Sequence, residues 1–428
     1  MSRTRLPALS IDAPARHAAL PARLGTILAS HTMVDVYAAL VPPLIGVLQI
    51  RCDLTDVQKA WLLGIGSLSS GLSQPLGAWI SDRADSRLFG ALGLLLAAVC
   101  LSCIGLADSF ASLVALFVVG MIGVGVYHPV GASSVGQIAD QLPGRRRSLG
   151  ISFFFVFGMA GGIAGSLIAG RVAAAGDAGF DLLRYALVPG VLVAMALHLC
   201  IRRVPHRSHG HDLITFDEGE LARRWSMIVL LYLANAMRFT VNVTLYFLAV
   251  LWAEALVRES SPALAAEAVV KRGGEIAGLL NALLIVGMAA GGFAAGALIP
   301  RGREKWFLVG VPVLLSPAVV AWGGAGLWGG YACALLSGVG FASMIPVTLS
   351  LGQRLLPHRT SLASGLMLGG AWAVAVAGPR TAQYCLGTLR WDIEQTFLFP
   401  TALLLASGLI CLPLSARTLR LTAHDDAH

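Results

Sequence analysis

Residues 145–167 read RRRSLGISFFFVFGMAGGIAGSL, and residues 357–380 read PHRTSLASGLMLGGAWAVAVAGPR. The two segments align without a gap, with Ser148-Leu149 on Ser361-Leu362 and Gly165 on Gly378. Each starts on basic residues and runs into an apolar, glycine-rich stretch long enough to cross a bilayer as a helix. Upstream, GVGVYHPV (123–130) resembles GVGFASMIPV (338–347) with two residues' offset. One membrane-embedded unit is therefore present twice.

Composition agrees. Of 428 residues, 56% are hydrophobic and 13% charged, and the mean hydropathy is +0.75. A soluble domain carries about a quarter charged residues, and a soluble fold of this size has no place to bury so much apolar side chain. A cytosolic enzyme, a disordered chain and a disulfide-rich secreted domain are excluded. The long unbroken apolar runs also exclude a membrane β-barrel, which needs alternation. Twelve helical spans are predicted, at 23–49, 57–81, 88–107, 110–138, 148–174, 182–201, 225–253, 275–299, 305–323, 326–352, 360–386 and 394–416. The fold class is an all-α integral membrane protein of two pseudo-symmetric six-helix bundles, 23–201 and 225–416. A tail (1–22), a linker (202–224) and a C-terminal tail (417–428) flank them. Repeats of this kind are common in transporters, whose substrate sites lie at the repeat interface near the midplane.

The charges give an orientation. With the N-terminus inside, the inner segments hold 21 of the 31 Lys and Arg and the outer segments eight. The positive-inside rule then places both termini in the cytoplasm. The net charge of +8 is spread over short loops, so no nucleic-acid surface is expected. No cleavable signal peptide is read at the N-terminus. Cys100-x-x-Cys103 sits inside an apolar run with no second pair, which reads as helix packing. His206, His209 and His211 in the linker lack the cysteine or carboxylate pattern of a metal site. No metal, no cofactor and no ATP are expected, the last because G-x-x-x-x-G-K-[ST] does not occur.

Ionisable groups within spans are costly and mark polar cavities. In span 1, His31 and Asp35 are spaced i, i+4 and share a helix face. Asp35 falls near mid-membrane, where a carboxylate is suited to carry a proton; a structural Asp bonded to His31 or to backbone is the alternative. In span 4, Tyr127-His128-Pro129 follows a glycine run. Pro129 should kink the helix, and His128 is suited to proton transfer or anion binding, or to tethering two helices. Span 7 carries Asn235, Arg238, Asn242 and Tyr246 on one face, as the repeat counterpart of span 1. Arg238 keeps its charge, so it pairs either with a fixed carboxylate such as Asp35 or with an anionic substrate. Arg380, near the outer surface, reads as structural. Asp82, Arg83 and Arg87 after span 2 form either a latch between bundles or a membrane-edge charge cluster.

With these residues in place, the chain resembles the major facilitator superfamily, and within it the bacterial fosmidomycin-resistance-type efflux transporters. The likeness rests on His31-x-x-x-Asp35, Gln74-Pro75, Tyr127-His128-Pro129, and LGQRLLPHRTSLASGLMLGG at 351–370. Ser81-Asp82-Arg83 with Arg87 resembles the superfamily's G-x-x-x-D-R-x-G-R-[KR] gating motif, with Ala78 and Asp85 in place of its two glycines. The resemblance implies proton-driven, alternating-access export of a small anionic or amphipathic compound across a bacterial cytoplasmic (inner) membrane, by a monomer. Asp35 with His31 or His128 would couple protons. Arg238, Asn235, Asn242, Tyr127 and Tyr246 would contact substrate, and Asp82, Arg83 and Arg87 would gate the inner side. Similar exporters have a Gly-Pro step in span 5 where this chain has Gly165-Ser166; the second half keeps Gly378-Pro379. Export of a metal-chelating metabolite, or import by proton symport, are alternatives on the same fold.

Overall fold

In span 1, two consecutive prolines lie near the start of a helical turn, where missing N–H donors cost nothing. The chain bends just before them, and span 1 becomes α1 (Ala13–Ala38) and α2 (Val41–Arg51), with Pro42 and Pro43 inside the first turn of α2. The computed structural model describes residues 13–84, 88–141, 147–201, 217–299, 303–356, 360–415 and 419, and among them every regular element is helical. The remaining crossings of the first half are α3 (Asp56–Ala84), α4 (Leu88–Ser102), α5 (Phe110–Gln141), α6 (Arg147–Ala175), and α7 (Asp177–Leu183) continued by α8 (Leu187–Ile201). The second half has α9 (Glu218–Ser260), α10 (Ala266–Leu298), α11 (Glu304–Gly323), and α12 (Leu327–Ala342) with α13 (Met344–Leu355). Its last two crossings are α14 (Thr360–Gly365), α15 (Ala371–Val374) and α16 (Ala377–Gly387), then α17 (Ile393–Thr396) and α18 (Leu398–Leu409). Each of the twelve expected spans coincides with helix.

Two boundaries differ from expectation. Helix α1 begins at Ala13, inside the expected tail, because an alanine-rich stretch favours helix. Helix α9 begins at Glu218, inside the expected linker: the Asp217 carboxylate accepts the Glu220 N–H at 2.7 Å, and Glu218 and Glu220 suit the first turn. Residues 1–12, 202–216 and, Leu419 apart, the tail beyond 415 lie outside the described residues.

Among the described residues, eight helical runs are individually long and apolar enough to cross a bilayer. The other four crossings are short or polar, and two of them, α3 and the segments α14–α16, pack against each other across the two halves. Their serines, glycines and prolines are thus spent on protein contact and not on lipid. A Cβ on Gly71 would stand 2.7 Å from the Gly369 carbonyl oxygen, so glycine is required for this approach. The second seam between halves runs along α6 and α10, with Gly170 against Gly278.

The repeat is asymmetric where the sequences diverge. Helix α6 is uninterrupted through Gly165-Ser166. Its counterpart contains a π segment at Leu366–Gly370 and a break before α16, where Pro379 has no N–H to donate back toward Ala375. Helix α5 continues through Pro129.

Candidate functional site

The glycines of α6 set the geometry. Gly158, Gly161 and Gly165 recur at i, i+3 and i+7 along the α6 face that meets α1. A Cβ on Gly161 would overlap the Thr32 carbonyl, and one on Gly165 the Val36 carbonyl. Thr32 Oγ1 donates to the Phe157 carbonyl at 2.9 Å across this seam. The close approach lays the Phe154 ring on the His31 imidazole, centroids 3.6 Å apart and planes 14° apart. A Cβ on Gly158 would stand 2.6 Å from Asp35 Oδ2.

From α5, Tyr127 and His128 complete the cluster. The Tyr127 hydroxyl lies 2.7 Å from Ser30 Oγ and donates to the Ile27 carbonyl at 3.2 Å, which ties α5 to α1. His128 then stands with Nε2 3.3 Å from Asp35 Oδ1, while His31 Nε2 is 3.4 Å from Asp35 Oδ2. Both imidazoles turn Nδ1 to a backbone carbonyl: His31 to Phe154 at 2.6 Å and His128 to Val124 at 2.7 Å. A carbonyl oxygen only accepts, so each Nδ1 carries the proton. Both Nε2 atoms are thereby turned toward the Asp35 carboxylate, each a lone pair when its ring is neutral and a donor to Asp35 when it is protonated. His31 is buried, and its Nε2 has no hydrogen-bond partner. Asp35 and His128 keep 23% and 28% of their side-chain surface accessible although they lie mid-helix, so the cluster is open on one side.

The span 7 stripe divides. Tyr246 is half-buried, and its hydroxyl is 3.9 Å from Met288 Sδ. Asn242 is buried with Oδ1 unpartnered. Arg238, by contrast, does not meet Asp35. Its guanidinium lies inside the second half, donating to Ser407 Oγ at 3.2 Å and to the carbonyls of Leu308 and Ser407 at 3.1 Å each. Asn235 likewise bonds within its own half, to Thr348 Oγ1 at 3.0 Å and the Met367 carbonyl at 3.1 Å. Both are held within the second half, and Asp35 is not the partner of Arg238: a shared helical face in the sequence does not specify which neighbour covers it. Tyr127 is also withdrawn, fully buried behind His31. Arg380 stacks over the Trp61 ring at 5.1 Å. Of the inner-loop cluster, Asp82 and Arg83 end α3; their side chains, and Arg87 entirely, lie outside the described residues.

Three features escape sequence reading. Lys59 of α3 and Glu254 of α9 form an ion pair between the halves at 3.7 Å, with side chains only 3% and 13% exposed, at the end remote from the linker. The signal was an acidic residue at the outer edge of span 7 and a lysine at the outer edge of span 2, though Arg258, one turn after Glu254, offers a local partner as well. Asn281 of α10 is buried with both amide atoms unpartnered, on the face that carries Gly278 and Ile285 against α6. The third is the carbonyl of Phe154, to which no sequence motif points.

The Major Facilitator Superfamily sequence profile matches residues 24–379. The chain belongs to the major facilitator superfamily. Among solved structures, this facilitator is similar to a peptide transporter POT in complex with sulfate (17% identity, 93% of this chain and 95% of the other, TM-score 0.67). It is also similar to a bacterial homolog of the human lysosomal transporter Spinster in an inward-facing, unoccupied conformation (16%, 95% and 97%, 0.63). A D-xylose–proton symporter shares the fold too (13%, 91% and 97%, 0.62). Among curated proteins, none matches the sequence. The chain is thus a multi-pass membrane transporter and not an enzyme.

Proposed function

We propose that this facilitator is a proton-coupled exporter working by alternating access, of the fosmidomycin-resistance type, with Asp35, His31 and His128 as its proton site. The observation that carries the reading is the convergence of two imidazole Nε2 atoms on one carboxylate with both Nδ1 atoms already committed to backbone carbonyls. A proton on either Nε2 turns an acceptor–acceptor contact into a charge-assisted hydrogen bond. Its loss leaves Asp35 in need of another donor. A substrate that presents an amine, ammonium or hydroxyl to Asp35 competes with the proton, which is what antiport requires. With Arg238 engaged inside the second half, the argument for an anion beside Asp35 loses its cation. The substrate class is therefore narrowed to amphipathic compounds bearing a donor group, with Asn242, Tyr246 and Asn281 as polar contacts from the second half.

The preponderance of basic residues on the linker side supports a bacterial cytoplasmic membrane with both termini inside. Lys59–Glu254 is then an outer lock, closed while the inner side is open; Asp82, Arg83 and Arg87 are its proposed inner counterpart. Proteoliposomes carrying a pH indicator test the reading. A panel of amphipathic amines, with matched carboxylates, is applied against an imposed pH gradient. Wild type is expected to exchange protons for amines, and Asp35→Asn to lose the pH dependence. Unchanged gradient-driven accumulation by Asp35→Asn overturns the proton-site assignment, and carboxylates moving with protons overturn export by antiport.

A further inference from the structure

We propose that His31, Asp35 and His128 also form a binding site for a divalent transition-metal ion of the zinc class. The sequence reading expected no metal: the linker histidines lacked a ligand pattern, and His31, Asp35 and His128, the last 93 positions from Asp35, were read as proton carriers. The tertiary structure brings the donors together. One ligand atom from each residue falls within 4.8 Å of the others. His31 Nε2 stands 3.4 Å from Asp35 Oδ2 and His128 Nε2 3.3 Å from Asp35 Oδ1, so each imidazole faces its own carboxylate oxygen, and both separations are close to the donor–donor spacing around a tetrahedral ion. With bonds of about 2.0 Å to nitrogen and oxygen, as zinc makes, the edge of such a tetrahedron is roughly 3.3 Å.

The second shell points the same way. A histidine that ligates a metal through Nε2 is normally held by an Nδ1–H donated to a carbonyl or carboxylate, which fixes tautomer and ring orientation. Both histidines have that bond in place, to Phe154 and Val124. The His31 ring is further clamped by the stacked Phe154 ring, and its Nε2 is a buried atom aimed into the cluster with no partner. Two imidazoles and one carboxylate suit zinc, cobalt and nickel better than magnesium or calcium, which favour all-oxygen sites. The accessible side, at Asp35 and His128, leaves room for water or another small ligand at a fourth position, as at zinc sites with three protein ligands. The site does not depend on transport direction or on proton coupling, since it follows from donor type and geometry alone.

The test is equilibrium binding to the full chain without an affinity tag, stripped of metal, in lipid nanodiscs, with His206, His209 and His211 replaced by Gln. Co2+ is titrated as a visible-spectrum probe, then displaced by Zn2+. One equivalent of Co2+ giving the bands of a four- or five-coordinate ion, bleached by one equivalent of Zn2+, is expected. His31→Gln, His128→Gln and Asp35→Asn should each weaken Zn2+ by more than tenfold, the smaller loss typical even of second-shell changes. His198→Gln should leave it unchanged. Because His31 is buried, its variant is read alongside His128→Glu, which keeps a ligand: it should retain Co2+ with a shifted spectrum. Less than one equivalent bound in the linker-substituted background, or full Zn2+ affinity in monodisperse His128→Gln and Asp35→Asn, overturns the site. Loss of metal with intact proton exchange, or the reverse, separates this proposal from the transport reading.

Discussion

Replacing Lys59 by Met leaves Glu254 buried against α2 and α10 without its counter-charge. Breaking a buried pair from one side costs about 3–5 kcal/mol. The 3.7 Å separation and the unpartnered Glu254 Oε1 put this pair at the lower end, about 3 kcal/mol. The pair joins α3 to α9 across the halves, so the cost falls on the conformation in which the remote face is closed. At about 1.4 kcal/mol per tenfold, the closed-to-open ratio should fall by roughly a hundredfold. Spin labels on exposed Val57 and on Leu264, in the loop between α9 and α10, report that face by distance measurement. All seven native cysteines are buried or partly buried, which favours selective labelling of the introduced ones. Lys59→Met should move the distance distribution to longer separations, and Lys59→Met with Glu254→Leu should bring it back, since removing both charges is nearly neutral. Identical distributions for wild type and Lys59→Met, or a double variant as open as the single one, would refute the reasoning.

Other expectations concern packing and charge. Gly161→Ala should cost about 1–3 kcal/mol by forcing a methyl into the Thr32 carbonyl, seen as a lower melting temperature with reduced transport; Gly162→Ala meets only the Ile285 methyl at 3.2 Å and should be tolerated. Arg238→Gln should lower stability by roughly 2 kcal/mol through lost charged hydrogen bonds, with amine and carboxylate transport per folded molecule reduced alike; a selective loss for carboxylates would return Arg238 to the substrate site. At the start of α5, hydroxyl donors from Ser112 and Ser109 hold the Asp108 carboxyl below the usual carboxylate range. A depressed folded value stabilises above the unfolded one, so this end of α5 should loosen as pH falls below about 4. Amide exchange at Leu113 should rise there in wild type and lose that pH dependence in Asp108→Asn.

How much of this was readable beforehand depended on the range over which each feature is set. The twelve crossings and the doubled unit are written in runs of consecutive residues, because bilayer thickness and backbone hydrogen bonding act on one segment at a time. The His31–Asp35 pairing is likewise local, one helical turn apart. The break before α16, absent from α6, is also marked locally, by Pro379, whereas the π segment at Leu366–Gly370 carries no such mark. Arg238 marks the limit of such reading. At about 100° per residue it lies roughly 60° around α9 from Asn235, and that offset suffices to point it between α11 and α18.

The sequence by itself determined that lipid is the main solvent, how many helices cross it, and that one carboxylate and one imidazole share a turn in its middle. Only the tertiary structure decided that a second imidazole joins them from α5, that both rings turn their Nε2 atoms inward, and that Lys59 finds Glu254 across the halves. The physical reason is that hydropathy and helix period fix what a segment can bury, whereas the neighbours it meets are chosen by where backbones can approach. Here the α6 glycines permit that approach, and they bring the His31–Asp35 turn against Phe154.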